Sequence, residues 1–366
     1  MVATFELNAE LLNPVIRKHF DSDSALPLDF EITALKPGLG NPTSLGVYRV
    51  SGNATVHGVS QAFSVVVKHL ASGAPQMDTS SVEHWNHWRR EILFFESPLV
   101  SSIPKGLSYP QYLGHSVLQD GTELFWNSDL GDLTNAEWTW PKCLEAAQLV
   151  AELNCITSQL AEPYKWLNRT QWQGWLELRD EYFLPYEQMV RDCALDNAET
   201  ALAYQNWGDF LDQAPQLTQI MWDARQCFVH GDFNLNNLVP HPGLGSGLTA
   251  LDWQLAGVSG LGSEIASIFN TAVELDVIRG NVVEFDEICQ TYVERFNQLN
   301  PNQPVALDQV RLVAAATGYV IINGVGFFFL RTSPDSPAEP AAVKNLVRQF
   351  STGVIMAYST VLHQLL

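Results

Sequence analysis

The chain has few basic residues. It carries 20 lysines and arginines against 40 aspartates and glutamates, so its formal net charge is −20 over 366 residues. Nucleic acids and anionic membrane surfaces attract cationic proteins, and this balance therefore argues against both as partners. The acids are scattered along the chain, which favours a role in solubility, although an acidic cleft would also attract a cationic small molecule.

Cysteine is also scarce. The five cysteines stand at positions 143, 155, 193, 227 and 289. An odd number without a Cys-x-x-Cys pair, and no histidine cluster at ligand spacing, argues against a disulfide framework and against structural zinc. We expect reduced thiols and a cytoplasmic protein. The first residues agree with this expectation, because they include Glu6 and contain no sustained apolar segment that resembles a secretory signal.

Long hydrophobic segments are limited to one. Residues 312–330 contain no charge, lie between Arg311 and Arg331, and are 19 residues long. That length could span a bilayer. The segment nevertheless contains Thr317, Asn323 and three glycines, and the mean hydropathy of the chain is −0.02. We therefore predict a helix buried in the protein rather than a membrane anchor.

The most informative motif lies at residues 227–238, with the sequence CFVHGDFNLNNL. In it, Asp232 is followed five positions later by Asn237, and Asp252 follows at 20 residues, after the apolar segment 248–251. Phosphoryl transfer needs a carboxylate that orients and deprotonates an acceptor hydroxyl, and an amide and a second carboxylate that hold Mg²⁺ against nucleotide phosphates. A lone Asp232 would more often be a solvated loop acid, but the full pattern favours phosphoryl transfer.

The order His-Gly-Asp, four residues, Asn and then Leu-Asp-Trp resembles the aminoglycoside phosphotransferase and choline kinase family of small-molecule kinases, which are similar to protein kinases in fold. The resemblance implies an α+β fold with two lobes. A small β-rich N-terminal lobe, residues 1–127, would bind nucleotide, and a larger, mainly helical C-terminal lobe, residues 128–366, would carry the catalytic and acceptor sites. It also implies Asp232 and His230 as catalytic residues, the first as proton acceptor and the second as support of the loop.

The upstream half contains a glycine turn. Gly38, Gly40 and Asn41, followed by Pro42, lie between two segments with strand character. Backbone amides in such a turn can approach phosphates where a side chain would obstruct them, so these residues are candidate nucleotide contacts. The pattern is neither the three spaced glycines of protein kinases nor a Walker loop, and an ordinary hairpin turn fits it equally well.

A lysine closes the β-branched and aromatic segment 61–68, which predicts a strand. Glu91 follows 23 residues after Lys68, in a segment, residues 84–95, that we predict to be a helix. In the family that the motif resembles, such a glutamate pairs with a strand lysine that contacts the α and β phosphates. We therefore predict a Lys68–Glu91 pair, against the alternatives of a solvent-directed lysine and an exposed helix acid.

The lobe boundary can be placed from the next segments. Residues 123–127 are expected to form the last strand of the small lobe, and the resemblance implies that the connection after it, residues 128–132, reads adenine through backbone groups. Residues 144–153 have the apolar spacing of a helix. Relatives commonly carry His where Asn154 stands and Asp where Glu264 stands. We interpret the first as a change in packing and assign Glu264 the loop-anchoring role of the usual acid.

Residues 165–220 are rich in aromatic side chains interleaved with acids. The resemblance implies the acceptor pocket in this region, and aromatic walls beside acids would suit a ring-bearing or cationic acceptor. Helix packing explains any single aromatic residue equally well. The aromatic members are Trp166, Trp172, Trp175, Tyr182, Tyr186, Tyr204 and Trp207.

Together these features predict a phosphotransferase that uses ATP, or GTP in its place, with Mg²⁺ held by Asn237 and Asp252. The acceptor is expected to be a hydroxyl of an aminoglycoside-, choline- or homoserine-like small molecule, and the protein a monomer or homodimer. A nucleotide-binding pseudokinase with a regulatory or interaction role is one alternative, but the acids and the lysine that such proteins often lack are present. A protein kinase is the other, and the His-Gly-Asp form argues against it.

Overall fold

The computed structural model describes residues 5–35, 43–73, 79–131, 137–156, 164–178, 213–240, 247–331 and 353–366. These residues form two lobes, a small one built around a β-sheet and a larger one that is mainly helical. The α+β class and the two-lobed arrangement expected from the sequence are confirmed.

The small lobe is an antiparallel sheet with a helix against one face. The elements in this half of the chain are α1 (Ala9–His19), β1 (Leu26–Ala34), β2 (Ser44–Val56), β3 (Val59–Leu70), α2 (Arg90–Phe95), β4 (Leu107–Ser108), β5 (Tyr112–Val117) and β6 (Glu123–Ser128). The strand order is β1-β2-β3-β6-β5, and each neighbouring pair is antiparallel. The strand predicted at residues 123–127 is therefore present, as β6.

The alternation of side chains along β3 decides what each face of the sheet contacts. Val65 and Val67 are fully buried in a cluster with residues of α1. Val66 and Lys68 lie on the opposite face, because successive side chains of a strand point in opposite directions. Phe125 of β6 is paired with Lys68 and belongs to the core of the large lobe. One face of the sheet therefore packs on α1, and the other faces the second lobe.

The helix predicted at residues 84–95 is shorter than expected, because α2 begins at Arg90. The Arg90 side chain is fully buried, and burial lowers its pKa to about 9, so it remains charged at neutral pH. It donates to four backbone carbonyl oxygens, those of His84 (2.7 Å), Trp85 (2.8 Å), Trp166 (2.8 Å) and Gln254 (3.2 Å). The first two carbonyls bind the guanidinium, and the His84 carbonyl also accepts the N–H of His87 at 3.0 Å, so this segment forms turns. The prediction is wrong over residues 84–89 for this reason.

The large lobe begins after the connection that follows β6. Its elements are α3 (Trp140–Asn154), α4 (Gln171–Leu178), α5 (Ala214–Asp223), β7 (Gln226–Val229), β8 (Leu238–Pro240), β9 (Leu248–Ala250), β10 (Gly257–Gly260), α6 (Ile265–Glu274), α7 (Val282–Leu299), α8 (Leu307–Arg331) and α9 (Ile355–Leu365). Strand β7 pairs with β10, and β4, β9 and β8 form a second small sheet. The helix predicted at residues 144–153 is present within α3.

The uncharged segment 312–330 lies within α8. Ala314, Ala315 and Tyr319 are at most 1% exposed, and they belong to the large-lobe core. Thr317 is also buried, and its hydroxyl donates to the Val313 carbonyl at 2.8 Å. The predicted buried helix is therefore present where side chains are described. Within the part of the chain that the structure covers, no helix is long and apolar enough to cross a membrane.

Candidate active site

The apolar strand β7 brings the His-Gly-Asp motif to the junction of the lobes, and a 3₁₀ turn, Leu235–Asn237, follows it. Asn234 caps this turn, because its Oδ1 accepts the backbone N–H groups of Asn236 (3.0 Å) and Asn237 (3.1 Å). The turn folds Asn237 back onto Asp232, whose backbone carbonyl accepts from the Asn237 amide at 3.0 Å. Asp232 and Asn237, five positions apart in the sequence, are thus in direct contact.

Asp232 has an amide donor on each carboxylate oxygen. Asn234 Nδ2 donates to Oδ1 at 2.7 Å, and Asn237 Nδ2 donates to Oδ2 at 2.7 Å. Burial raises the pKa of Asp232 to about 6, and the charge of Asp252 acts in the same direction, while the two amides oppose it. A carboxyl group with this pKa is mostly ionised at pH 7 and is still basic enough to accept a proton in a reaction.

His230 is fully buried behind the loop. Its Nε2 donates to the carbonyl of Leu251 at 2.9 Å, and its Nδ1 accepts the N–H of Asp232 at 3.3 Å. The imidazole centroid lies 4.4 Å from that of the Trp253 ring. Burial lowers the pKa of His230 to about 4, so the ring is neutral at pH 7. These contacts fix the backbone beside both acids, which gives His230 a positioning function.

Gly231 allows two loops to approach closely. Its φ is +87°, and a Cβ at this position would lie 2.2 Å from the carbonyl oxygen of Leu255. Its N–H donates to Oε1 of Glu264 at 3.0 Å, and its carbonyl accepts from Nε2 of Gln171 at 2.7 Å. Glu264 therefore anchors the loop, as the sequence predicts for the acid at this position.

Gly231→Ala is expected to destabilise the protein and displace Asp232. The left-handed backbone alone costs about 1–2 kcal/mol for a residue with a Cβ, and the contact with Leu255 adds to this cost. Gly58→Ala is the matched control, because Gly58 has φ +80° and nothing within 4 Å of a Cβ. Urea unfolding would compare the two variants. Equal losses of unfolding free energy would contradict the close approach at Gly231.

Lys68, Glu91 and Asp252 form an ion cluster that joins the two lobes. Lys68 Nζ lies 2.7 Å from Glu91 Oε2 and 2.9 Å from Asp252 Oδ1. Burial alone would lower the pKa of Lys68, but the charges of Asp252 and Glu91 outweigh it and raise the pKa, so the ammonium stays charged. The backbone N–H of Trp253 donates to Glu91 Oε1 at 3.2 Å. The structure thus contains the predicted Lys68–Glu91 pair.

Asp252 occupies a left-handed backbone conformation, with φ 61° and ψ 67°. Burial, the largest single influence, would raise its pKa, but the charge and hydrogen bond of Lys68 and smaller contributions together outweigh burial and lower the pKa, so the carboxylate is ionised at pH 7. The next residue, Trp253, is fully buried and stacks on Phe94 of α2, with ring centroids 4.3 Å apart. This stacking holds the Asp252 loop against the helix that carries Glu91.

Asn237 and Asp252 offer oxygen atoms to a divalent cation. Because Nδ2 of Asn237 donates to Asp232, Oδ1 is the ligand atom that this side chain presents. Asp252 presents the carboxylate oxygen that does not bind Lys68. Among the residues that the structure describes, no group of three or more His, Cys, Asp and Glu side chains could hold a metal. An amide and one carboxylate fit Mg²⁺ that arrives with nucleotide phosphates, since Mg²⁺ commonly takes few protein ligands.

Gly38, Gly40 and Asn41, the predicted phosphate contacts, lie outside the described residues. The description resumes at Thr43, which is fully buried. Its Oγ1 accepts from Nε2 of Gln254. Thr43, which directly precedes β2, is therefore attached to the loop that carries Asp252.

The aromatic residues predicted to line an acceptor pocket are described only in part. Trp172 is buried, and its Nε1 donates to Ser259 Oγ at 2.9 Å. Trp166 is partly buried against the large-lobe core. Both contacts favour the packing interpretation for these two residues. Five lie outside the described side chains, namely Trp175, Tyr182, Tyr186, Tyr204 and Trp207.

Asn154 supports the strand that leads into the catalytic loop. Its Nδ2 donates to the carbonyl of Phe228 in β7 at 2.8 Å, and its Oδ1 accepts from the hydroxyl of Tyr292 at 2.7 Å. This agrees with the interpretation of Asn154 as a packing change. Sequence reasoning assigned no role to two residues of the site, Asn234 and Arg90. The amide two positions after an acid could have indicated the first. The second begins the Arg-Glu-apolar-apolar-aromatic pattern of the family that the chain resembles, but the pattern does not reveal its carbonyl partners.

Comparison with known proteins shows what this chain is similar to. The sequence model of the phosphotransferase enzyme family (APH) matches residues 129–288. No curated protein matches the chain. Among solved structures, amicoumacin kinase hAmiN in complex with AMP-PNP, Ca²⁺ and Ami is 13% identical, with a TM-score of 0.51, over 89% of this chain and 92% of that one. Spectinomycin phosphotransferase APH(9)-Ia in complex with ADP and spectinomycin is 12% identical, with a TM-score of 0.51, over 98% and 99%.

At these identities the solved structures show a shared fold. Together with the family match at residues 129–288, they confirm the resemblance to aminoglycoside phosphotransferases and related small-molecule kinases that the sequence predicts. The matched segment contains the loop of Asp232 and Asn237 and the acid Asp252. Lys68 and Glu91 lie upstream of the matched segment.

Proposed function

We propose that the protein transfers the γ-phosphoryl group of ATP to a hydroxyl group of a small molecule, with Mg²⁺ bound to the nucleotide. The observation that supports this proposal is the meeting of two clusters at the lobe junction. Lys68, which pairs with Glu91, also pairs with Asp252, and Glu91 accepts from the backbone N–H of the next residue, Trp253. Asp232 and Asn237 form the second cluster, and the charge of Asp252 acts on Asp232. One proton acceptor and one cation site therefore lie near each other.

In the proposed reaction the acceptor oxygen attacks the γ-phosphorus, the bond from this phosphorus to the β–γ bridging oxygen breaks, and ADP leaves. The hydroxyl proton passes to the carboxylate of Asp232. Lys68 contacts the α and β phosphates, and Asn237 and Asp252 hold Mg²⁺, which neutralises phosphate charge when bound. The protein forms no covalent intermediate, so orientation and electrostatics must lower the barrier.

The same proposal assigns nucleotide binding to residues 1–127 and acceptor binding to residues 128–366. The two solved structures bear the names of small-molecule substrates, amicoumacin and spectinomycin, which supports a small-molecule acceptor. The net charge of −20 favours cationic acceptors such as amino sugars and amino alcohols, because an acidic protein attracts cations.

Calorimetric titration of ATP, with and without Mg²⁺, tests the nucleotide half of the proposal. Saturable binding that depends on Mg²⁺ is expected. A coupled assay of ADP release would then test the acceptor half over amino sugars, amino alcohols, sugars and homoserine-like compounds. Absence of binding at millimolar nucleotide would contradict the proposal. Binding without ADP release over the whole panel would instead support a nucleotide-binding protein without transferase activity.

Asn234→Ser is expected to shift the acid limb of kcat/KM to higher pH. Serine keeps an oxygen that can cap the turn but loses the amide donor that stabilises the Asp232 carboxylate. The pKa of Asp232 should therefore rise above its value of about 6, and the limb should move by about one pH unit. Activity at pH 6 should fall more than activity at pH 8.

Asn236→Ser is the control for this experiment, since Asn236 is exposed and contacts the cap through its backbone N–H. Its pH profile should match that of the wild type. A downward shift in the Asn234 variant, or equal shifts in both variants, would contradict the assigned hydrogen bond to Asp232.

A further inference from the structure

Asn127 carries a buried amide at the end of β6, just before the connection to the large lobe. The residue is 7% exposed, and its Oδ1 is buried and accepts no hydrogen bond from the residues that the structure describes. Buried amide oxygens are nearly always paired, so each exception needs an explanation. A ligand that supplies the missing partner is one such explanation.

The register of the sheet places Asn127 on the same face as Lys68. Asn127 is paired with Val66, and Phe125 is paired with Lys68. Directly paired residues share a face of an antiparallel sheet, as do residues two positions apart in one strand. The pair that contains Asn127 therefore lies about 7 Å farther along the strands than the pair that contains Lys68. This displacement is toward the inter-lobe connection.

The backbone next to Asn127 is firmly held. The carboxylate of Asp129 accepts from Arg49 Nε (2.7 Å), Ser64 Oγ (2.5 Å) and the N–H of Gly131 (2.9 Å). Arg49 also donates to the Gly131 carbonyl at 2.9 Å. These contacts hold the start of the inter-lobe connection, residues 129–131, against strands β2 and β3. The path of the chain from Asn127 to Gly131 is thus set by contacts within the protein.

We propose that the Asn127 amide hydrogen-bonds the substituent at position 6 of the purine. This inference rests on the proposed function, in which Lys68 contacts the phosphates. A nucleotide held there extends its base along the same face toward the connection. The amide oxygen can accept from the amino group of adenine, and the amide N–H can donate to the carbonyl group of guanine after the side chain turns over. Asn127 would then accept both ATP and GTP.

Purine riboside triphosphate, which is ATP without the 6-amino group, provides the test. In calorimetry with Mg²⁺, the wild type should bind ATP about tenfold more tightly than this analogue. Asn127→Leu, of similar size without the amide, should lose this difference through weaker ATP binding and leave analogue binding unchanged. Asn127→Asp, which can only accept when ionised, should keep the preference for ATP over the analogue and bind GTP more weakly. Asn53→Leu, at an exposed position of β2, is the control.

The outcomes separate this inference from the function on which it rests. If the wild type binds no purine nucleotide, the proposed function itself is wrong. If Asn127→Leu keeps the wild-type preference for ATP over the analogue, the inference is wrong and the proposed function stands. Thermal unfolding adds a second readout, because loss of a buried amide oxygen that has no partner among the described residues should leave Tm unchanged or raise it. A lower Tm with equal losses for both nucleotides would indicate a purely structural role and overturn the inference.

Discussion

Asp232→Asn is expected to lower kcat by about 10²–10⁴-fold, the usual contribution of general base catalysis, and to leave the affinity for MgATP nearly unchanged. The substitution preserves shape and removes the group that accepts the hydroxyl proton. It also changes hydrogen bonding, because the carboxylate accepts from both Asn234 and Asn237. The new amide NH₂ must face one of these donors, so the loop gains a local mismatch in addition to the lost base.

A control and two readouts distinguish loss of the base from loss of the fold. Asp223→Asn makes the same change at an exposed residue near the end of α5, and it should retain both activity and affinity. Calorimetry measures nucleotide binding, and the ADP-release assay measures turnover with the best acceptor. Wild-type turnover by the Asp232 variant would show that another group takes the proton. Lost nucleotide binding would show that Asp232 maintains the cleft.

Asp252→Asn is expected to weaken the binding of MgATP without weakening the binding of metal-free ATP. In the proposed site, an ionised Asp252 would bind the cation of MgATP and repel metal-free ATP. The amide should therefore weaken MgATP binding, by about tenfold or more if a charge-assisted contact is lost, and bind metal-free ATP at least as well as the wild type. Turnover should fall further, because Mg²⁺ neutralises charge that develops in the transition state.

Asparagine is the appropriate replacement at this position because Asp252 has φ 61°, a region that Asn and Asp adopt more readily than Ala. Asp276→Asn is the matched control, since Asp276 has φ 56° and is exposed. The control should change neither affinity. Unaltered MgATP affinity in the Asp252 variant would remove this residue from the proposed metal site.

The predictable parts of the site are those encoded by short-range pattern. The spacing of Asp232 and Asn237 marks them as members of one site, and the resemblance to the family implies the partnership of Lys68 with Glu91. The limits of α2 could not be predicted in this way. The residues before it have apolar helical spacing, but their carbonyls bind a guanidinium together with carbonyls more than 70 positions away, at Trp166 and Gln254.

The aromatic residues of the large lobe show the same limit on prediction from sequence. Composition could not tell whether Trp172 lines a pocket or packs a helix, and only its hydrogen bond to Ser259 separates the two. The sequence likewise gives no sign that the amide oxygen of Asn127 is buried and unpaired among the described residues, because it shows only one polar residue at the end of a strand. Its significance comes from the pairing with Val66, which a sequence without register cannot supply.

The burial of Arg90 has a consequence for regulation. Two of its four carbonyl acceptors belong to the large lobe, so rotating α2 outward would strip a buried cation of its partners at a high cost. Glu91, the adjacent residue, is thereby held at Lys68. Under the proposed function, this arrangement would leave little room for control by movement of α2. Output in a cell would then follow the abundance of the protein and the supply of acceptor.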